Sequence, residues 1–245
     1  NNIRNTANFD KNSNWYWASA GKTLTAFLVG IAQDDGLLSI EDNSSTYLGN
    51  GWTSLEESQE SLIKIKHHLT MTTGLEYEVA NLDCTSPDCL TYKTAPGTNW
   101  FYHNATYSLL KDIVENVCET TYNNFTDQKV KMKIGMGGSW IQSNYNNIYW
   151  STARDMARFG LLILNEGVWD DQLILNDKDY YSNMVNSSQN INKSYGYLWW
   201  LNGKNSLIPP GIKIPINTSL ASNAPEDLIA GIGKNGQFLD VVPSQ

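Results

Sequence analysis

Ser19 and Lys22 stand three positions apart in the stretch NWYWASAGKTLTAFLVGIAQDDG, residues 14–36. A serine hydroxyl is a weak nucleophile until a neighbouring base takes its proton, and a lysine serves as that base only when its amine is neutral. The apolar residues Leu24, Phe27, Leu28, Ile31 and Ala32 follow at i, i+3, i+4, i+7 and i+8, and Asp34-Asp35-Gly36 closes the run. That spacing predicts an amphipathic helix beginning near Ser19. Serine at its mouth and lysine one turn on would share a face, with the serine at the positive end of the helix dipole. The chemistry on offer is acyl transfer through a serine ester.

Spacing alone is weak support, since ~one chance Ser-x-x-Lys is expected in a chain of ordinary composition and this length. Ser61-Leu62-Ile63-Lys64 is a second match, read here as structural. An N-capping serine followed by a solvent lysine would give the same four letters. Further groups are needed: one to help move the proton, and a cationic strand facing the pocket. Tyr102-His103-Asn104 is a candidate for the first. Tyr122-Asn123-Asn124, Tyr145-Asn146-Asn147 and Tyr181-Ser182-Asn183 share the pattern, but only Tyr102 follows a Pro-Gly-Thr turn and precedes a helical run. A constrained loop before a helix can hold a side chain at a junction. For the cationic strand, Lys234-Asn235-Gly236 lies in an apolar strand-like run, whereas Lys133-Ile134-Gly135 lies in an unpatterned one.

These motifs together resemble the serine beta-lactamase and penicillin-binding-protein superfamily, in its class C, esterase and D-aminopeptidase-like branch. The resemblance runs from about residue 15 to the end: WYWASAGKTLTAFLVGIAQDDGLLSIED is similar to the nucleophile helix, IKIKHHLTMTTGLEY to the segment after it, APGTNWFYHNATYSLL to the middle motif, YWSTARDMARFGLLILNEG to a later helix, and YGYLWW with GIGKNGQ to the closing strands. It implies an α+β, transpeptidase-like fold, with an antiparallel sheet flanked by helices and a helical domain. It also implies a chain shortened at both ends, with an open sheet edge. Ser19 would attack a carbonyl carbon, and Lys22 or the Lys22–Tyr102 pair would take its proton. Asn104 would orient Lys22 and a substrate amide. Lys234 would depress the Lys22 pKa and line the substrate site with Gly236, and the N–H groups of Ser19 and Gln237 would form the oxyanion hole. No metal or organic cofactor is called for. The third motif departs from the family's Lys-Thr-Gly form by carrying Asn235, which favours ester over lactam substrates.

The expected substrate is therefore a small carboxyl ester or amide. A D-amino-acid peptidase or beta-lactamase of the same family is the first alternative. A non-catalytic module binding a cell-wall peptide or a protein is the second, but it would predict broken motifs, and Ser19, Lys22, Tyr102 and Lys234 are all present. GxSxG, the nucleophile elbow of α/β-hydrolases, does not occur.

Composition agrees. With 17 lysines and arginines against 25 acids, the formal net charge of −8 repels a phosphate backbone and argues against a nucleic-acid partner. No apolar run of ~18 residues predicts a membrane span, and residues 1–18 lack signal-peptide regions. Cys84 and Cys89 bracket a Ser-Pro-Asp turn that can join them in a local disulfide, two reduced thiols being the alternative, while Cys118 stands alone. A disulfide would fit a periplasmic or secreted protein. His67, His68 and His103 show no zinc spacing. The chain reads as one catalytic unit over 1–245, mainly helical over 19–195 and mainly sheet over 196–245. In SLIKIKHHLTMTTGL a short polar and apolar alternation is expected to lead into a helix that stops at Gly74, and further helices are expected over 107–119 and from an N-cap at Ser151 to a stop at Gly167.

Overall fold

The computed structural model describes residues 9–245, so the first eight residues of the 1–245 unit lie outside the described residues. Strand β1 (Trp15–Tyr16) leads into a single 3-10 turn, Ala18–Ala20, and then helix α1 (Gly21–Asp34). The spacing of its apolar residues describes one buried face. The structure buries the others too, because every residue from Gly21 to Ala32 is buried. The polar members carry local partners: Thr23 Oγ1 donates to Ala20 O at 2.7 Å, and Thr25 Oγ1 accepts from Tyr122 at 3.0 Å. Burying a hydroxyl costs little once it is bonded, which is how a helix patterned for one wet face becomes central.

Of the further helices, three bear on the placement of the candidate residues. The predicted helix ending at Gly74 stops earlier: α2 spans Ile65–Leu69, and Met71 is already left-handed at φ 59°. Ending there lets Met71 O accept Phe101 N–H at 3.1 Å, fixing the chain just before Tyr102. Helix α3 (Asn104–Cys118) begins directly after, and its first turn is tied back by Ala105 N–H to Leu82 O at 2.8 Å. Helix α4 (Ala153–Leu164) is capped by Thr152 rather than Ser151, with Asp155 completing a reciprocal capping box. Ser151 is unavailable as the cap because it closes a strand, paired with Trp15. Gly167, at φ 83°, does end the segment, its N–H reaching back to Leu162 O at 2.9 Å.

Two three-stranded antiparallel sheets, beside a small two-stranded hairpin at 168–173, complete the frame. In the first, β3 (Asn146–Ser151) lies between β1 and β2 (Ser139–Ser143), with Trp140 opposite Tyr149. This hairpin sits inside the stretch read as mainly helical. In the second, β5 (Ile229–Gly233) lies between β4 (Trp200–Leu201) and β6 (Gln237–Val241). The fold is thus α+β, with antiparallel sheets and helices around a core that runs through α1. Trp17, Trp199, Phe27 and Phe159 are among the core's largest fully buried side chains. Trp17 Nε1 meets Ser151 Oγ at 2.7 Å, so the residue two before Ser19 is anchored to β3.

Candidate active site

Ser19 sits in the middle of the 3-10 turn, preceded by Ala18 in the left-handed region at φ 48°. For a residue with a Cβ that conformation is strained, and it turns the chain sharply between β1 and α1. The neighbouring strand makes room: a Cβ on Gly233 would lie 3.0 Å from Ala20 N and 2.5 Å from Trp17 O, so only glycine allows β5 this close to the turn. Strand β5 pairs with β4 no further along than Ala230, which leaves its edge beyond that point unpaired by β4. Ile232, Gly233 and Lys234 line a cleft of about 390 Å³ together with Ser19 and Tyr102.

Lys22 Nζ lies 3.0 Å from Ser19 Oγ. Although charged in water, this lysine is only 3% exposed. Its amine stands 4.1 Å from the Tyr107 ring centroid and 5.1 Å from that of Tyr102, so two rings replace its hydration. Burial pulls its pKa down to about 7, against a smaller upward pull from the Asp83 carboxylate. The depression expected from Lys234 is not the cause. Lys234 is exposed at the rim, and removal of water around Lys22 does the work.

Tyr102 faces the same cleft, its ring stacked on Trp200 at 5.9 Å and 19°. Burial raises its hydroxyl to about 12, with the Ser19 side chain as the neighbour that pulls it back. The other Tyr-x-Asn matches are elsewhere: Tyr122 donates to Thr25 in the core, Tyr181 donates to Ile163 O, and Tyr145 lies on the β2–β3 hairpin turn. Asn104 opens α3, and its Nδ2 donates to Asp83 Oδ1 at 2.8 Å. Its Oδ1 is buried with no hydrogen-bond partner among the described residues. Asp83 is held by its place next to Cys84, which is joined to Cys89 with Cα atoms 5.9 Å apart.

Asp83 and Tyr107 were missed by the sequence reading. Tyr107 could have been found from spacing, since it stands one turn after Asn104 on α3. Asp83 had only its place beside the predicted disulfide to mark it.

The third motif does not sit within a strand. Lys234-Asn235-Gly236 is the turn between β5 and β6, with Gly233 opposite Gln237. Asn235 and Gly236 are both left-handed, at φ 64° and 80°. Gly236 and Gln237 line a separate groove with Trp15, Met156 and Phe238, whereas Lys234 borders the Ser19 cleft. The structure therefore brings Ser19, Lys22, Tyr102 and Lys234 together and leaves Gly236 and Gln237 on the other side of the turn. Asn235 donates to the Tyr16 hydroxyl at 2.6 Å, away from the cleft. Threonine in its place would be β-branched in the left-handed region, a cost of ~1–2 kcal/mol. Asn235→Thr will lower the melting temperature and leave lactam turnover unchanged. Paired calorimetry and nitrocefin assays check this, and a selective gain in nitrocefin hydrolysis would overturn the placement.

Antiparallel sheets flanked by helices in this arrangement are the fold of the serine beta-lactamase and penicillin-binding-protein superfamily. The chain belongs to the Beta-lactamase family, whose sequence model matches residues 1–239. Solved structures agree in fold. A penicillin-binding-protein homologue from Caulobacter crescentus superposes with a TM-score of 0.73 at 10% identity, covering 99% of this chain and 78% of that one. A protein from Bacillus anthracis assigned as a 6-aminohexanoate-dimer hydrolase gives 0.72 at 17%, covering 97% and 66%. A beta-lactamase from Mycobacterium bovis gives 0.65 at 16%, covering 96% and 77%. The chain thus spans between 66% and 78% of the length of these three structures. No curated protein matches the sequence.

Proposed function

We propose that this chain is a serine hydrolase that cleaves carboxyl esters or small amides through an acyl-enzyme on Ser19. The observation that carries the reading is Lys22 Nζ, stripped of water and 3.0 Å from Ser19 Oγ. With a pKa of about 7 its amine is substantially neutral at physiological pH, whereas the Tyr102 hydroxyl at about 12 keeps its proton. Lys22 is therefore the base and Tyr102 the proton-bearing partner.

As Ser19 Oγ bonds to the carbonyl carbon, its proton passes to Lys22. The oxyanion that forms is met by the Ser19 N–H and by a backbone N–H on the β4-facing edge of β5 beyond Ala230, in place of Gln237. Donors of this kind contribute ~3–4 kcal/mol each. Collapse breaks the bond to the leaving group, which departs with the proton relayed through Lys22 and Tyr102. Water then attacks the acyl-enzyme by the same proton path, releasing the acid and restoring the Ser19 hydroxyl. The Asn104 Oδ1, buried without a partner among the described residues and with its amide fixed by Asp83, is left to accept from the Lys22 ammonium.

Among the described residues no acidic side chain lines the cleft, so the ammonium of a D-amino-acid substrate would find no counter-ion there. That ranks esters and neutral amides above aminopeptidase substrates. A 6-aminohexanoate-dimer hydrolase assignment among the structural neighbours keeps amides in the reading. The Cys84–Cys89 disulfide supports a periplasmic or secreted location, and among the described residues no helix is long and apolar enough to cross a membrane.

A fluorophosphonate probe will label Ser19 alone, with the adduct found by peptide mass spectrometry and lost in Ser19→Ala. An adduct on Ser61, or none on folded protein, would overturn the assignment.

A further inference from the structure

The cleft that Ser19 opens into has a composition of its own. Its walls are Trp200, Leu207, Pro209, Pro210, Leu220 and Ile232, and its charge is confined to Lys234 at the rim. Trp200 and Leu207 are themselves buried, at 4% and 7% exposure, so their exposed atoms belong to a formed wall. The stack of Trp200 on Tyr102 sets that wall directly beside the proposed catalytic groups. The Pro209-Pro210 pair stiffens the loop opposite, since proline fixes φ and removes backbone freedom. Leu207 pairs with Ile216 across a bridge, its N–H donating to Ile216 O at 3.1 Å, which holds the two ends of that loop together.

We propose that the substrate's acyl group is an unbranched apolar chain of about six to ten carbons, seated along this wall. The inference rests on the Ser19 reading and adds the substrate class to it. Acyl rather than leaving group follows from the chemistry. The acyl group takes part in both half-reactions and is joined to Ser19 between them, so the space next to Ser19 holds it throughout, while the leaving group departs in the first. Size agrees with the chain length. A cleft of about 390 Å³ takes on the order of thirteen water-sized groups, enough for an eight-carbon acyl chain with the reacting ester atoms. Each methylene that leaves water for an apolar wall multiplies kcat/KM by about threefold to fourfold until the wall ends.

The test is a series of p-nitrophenyl esters from acetate to dodecanoate, each kept below its aggregation limit, scored as kcat/KM. A maximum between hexanoate and decanoate, at least ~10-fold above acetate, is expected. A maximum at acetate or propanoate would overturn the proposal. Leu220→Trp, which fills the cleft from its less buried side, should lower the octanoate-to-acetate ratio ~10-fold, and an unchanged ratio would overturn it. Binding separates this inference from the hydrolase reading. Ser19→Ala protein cannot be acylated, and by calorimetry it should bind octanamide at least ~10-fold tighter than butanamide, with Leu220→Trp abolishing the difference. Preference in binding without turnover in wild type would sink the Ser19 chemistry and leave the cleft assignment standing. Turnover with no preference in either assay would do the reverse.

Discussion

Lys22→Met will abolish turnover of every ester that the wild-type chain hydrolyses, by ~10³-fold or more in kcat, and will raise the melting temperature of the protein it inactivates. Both effects come from one fact, the burial of an amine that water would otherwise hold. A free lysine titrates at about 10.4. At about 7 in the folded chain, the Lys22 amine is depressed far enough that its charged form is disfavoured by on the order of 4 kcal/mol. The folded pKa lies below the unfolded one, so the unfolded chain binds the extra proton between about pH 7 and 10, and stability from this group rises with pH across that window. Below pH 7 the lysine is protonated in both states and the full burial penalty stands. The gain in stability of Lys22→Met over wild type is therefore largest at pH 6–7, on the order of 10 °C, and shrinks toward pH 10. Activity has the matching sign. In wild type kcat/KM rises with pH through about 7 as the amine loses its proton, and falls away below. Thermal scans of both proteins at pH 6, 8 and 9.5, with a pH–rate profile of wild type, check the claim. A stability difference independent of pH, or a rising limb near 10, would show that Lys22 is not the depressed base.

What the residues disclosed before folding follows from what each signal depends on. The closeness of Ser19 and Lys22 was legible because a helical turn puts i and i+3 on one face, and here the 3-10 turn Ala18–Ala20 runs straight into α1. Tyr102 was legible through its turn and the helix after it, both local. The roles assigned around Lys234 were less legible because they depended on register. Apolar residues on both sides made Lys234-Asn235-Gly236 look like strand, yet an Asn-Gly pair flanked by strand residues is itself a hairpin signal. Read that way, Gly236 and Gln237 belong beyond the turn, as the structure places them. The source of the Lys22 depression was illegible for a different reason. Desolvation is the sum of what surrounds a group, and Tyr107 and Tyr102 come to Lys22 from 85 and 80 positions away. The shift from Ser151 to Thr152 as helix cap is of the same kind, decided by a strand partner at Trp15.

Tyr102→Phe in combination with Lys22→Met separates a shared proton path from two independent contributions. The phenylalanine keeps the ring stacked on Trp200 and loses only the hydroxyl, so folding should change by less than ~1 kcal/mol. The lost hydroxyl is the group that holds a proton at neutral pH beside Ser19, and its removal should lower kcat by ~10²-fold or more. If Lys22 and Tyr102 pass the same proton, the second substitution has little left to remove. The double variant should then be about as slow as Lys22→Met alone, a coupling of several kcal/mol between residues 80 positions apart in sequence. Independent roles would instead multiply the two losses. The cycle is scored on kcat/KM with one ester, and all four proteins are checked by circular dichroism for native fold. Multiplicative losses, or a Tyr102→Phe enzyme as fast as wild type, would reduce Tyr102 to a wall of the cleft. Lys22 would then act as the only base for both half-reactions, with the leaving-group proton delivered by Lys22 directly.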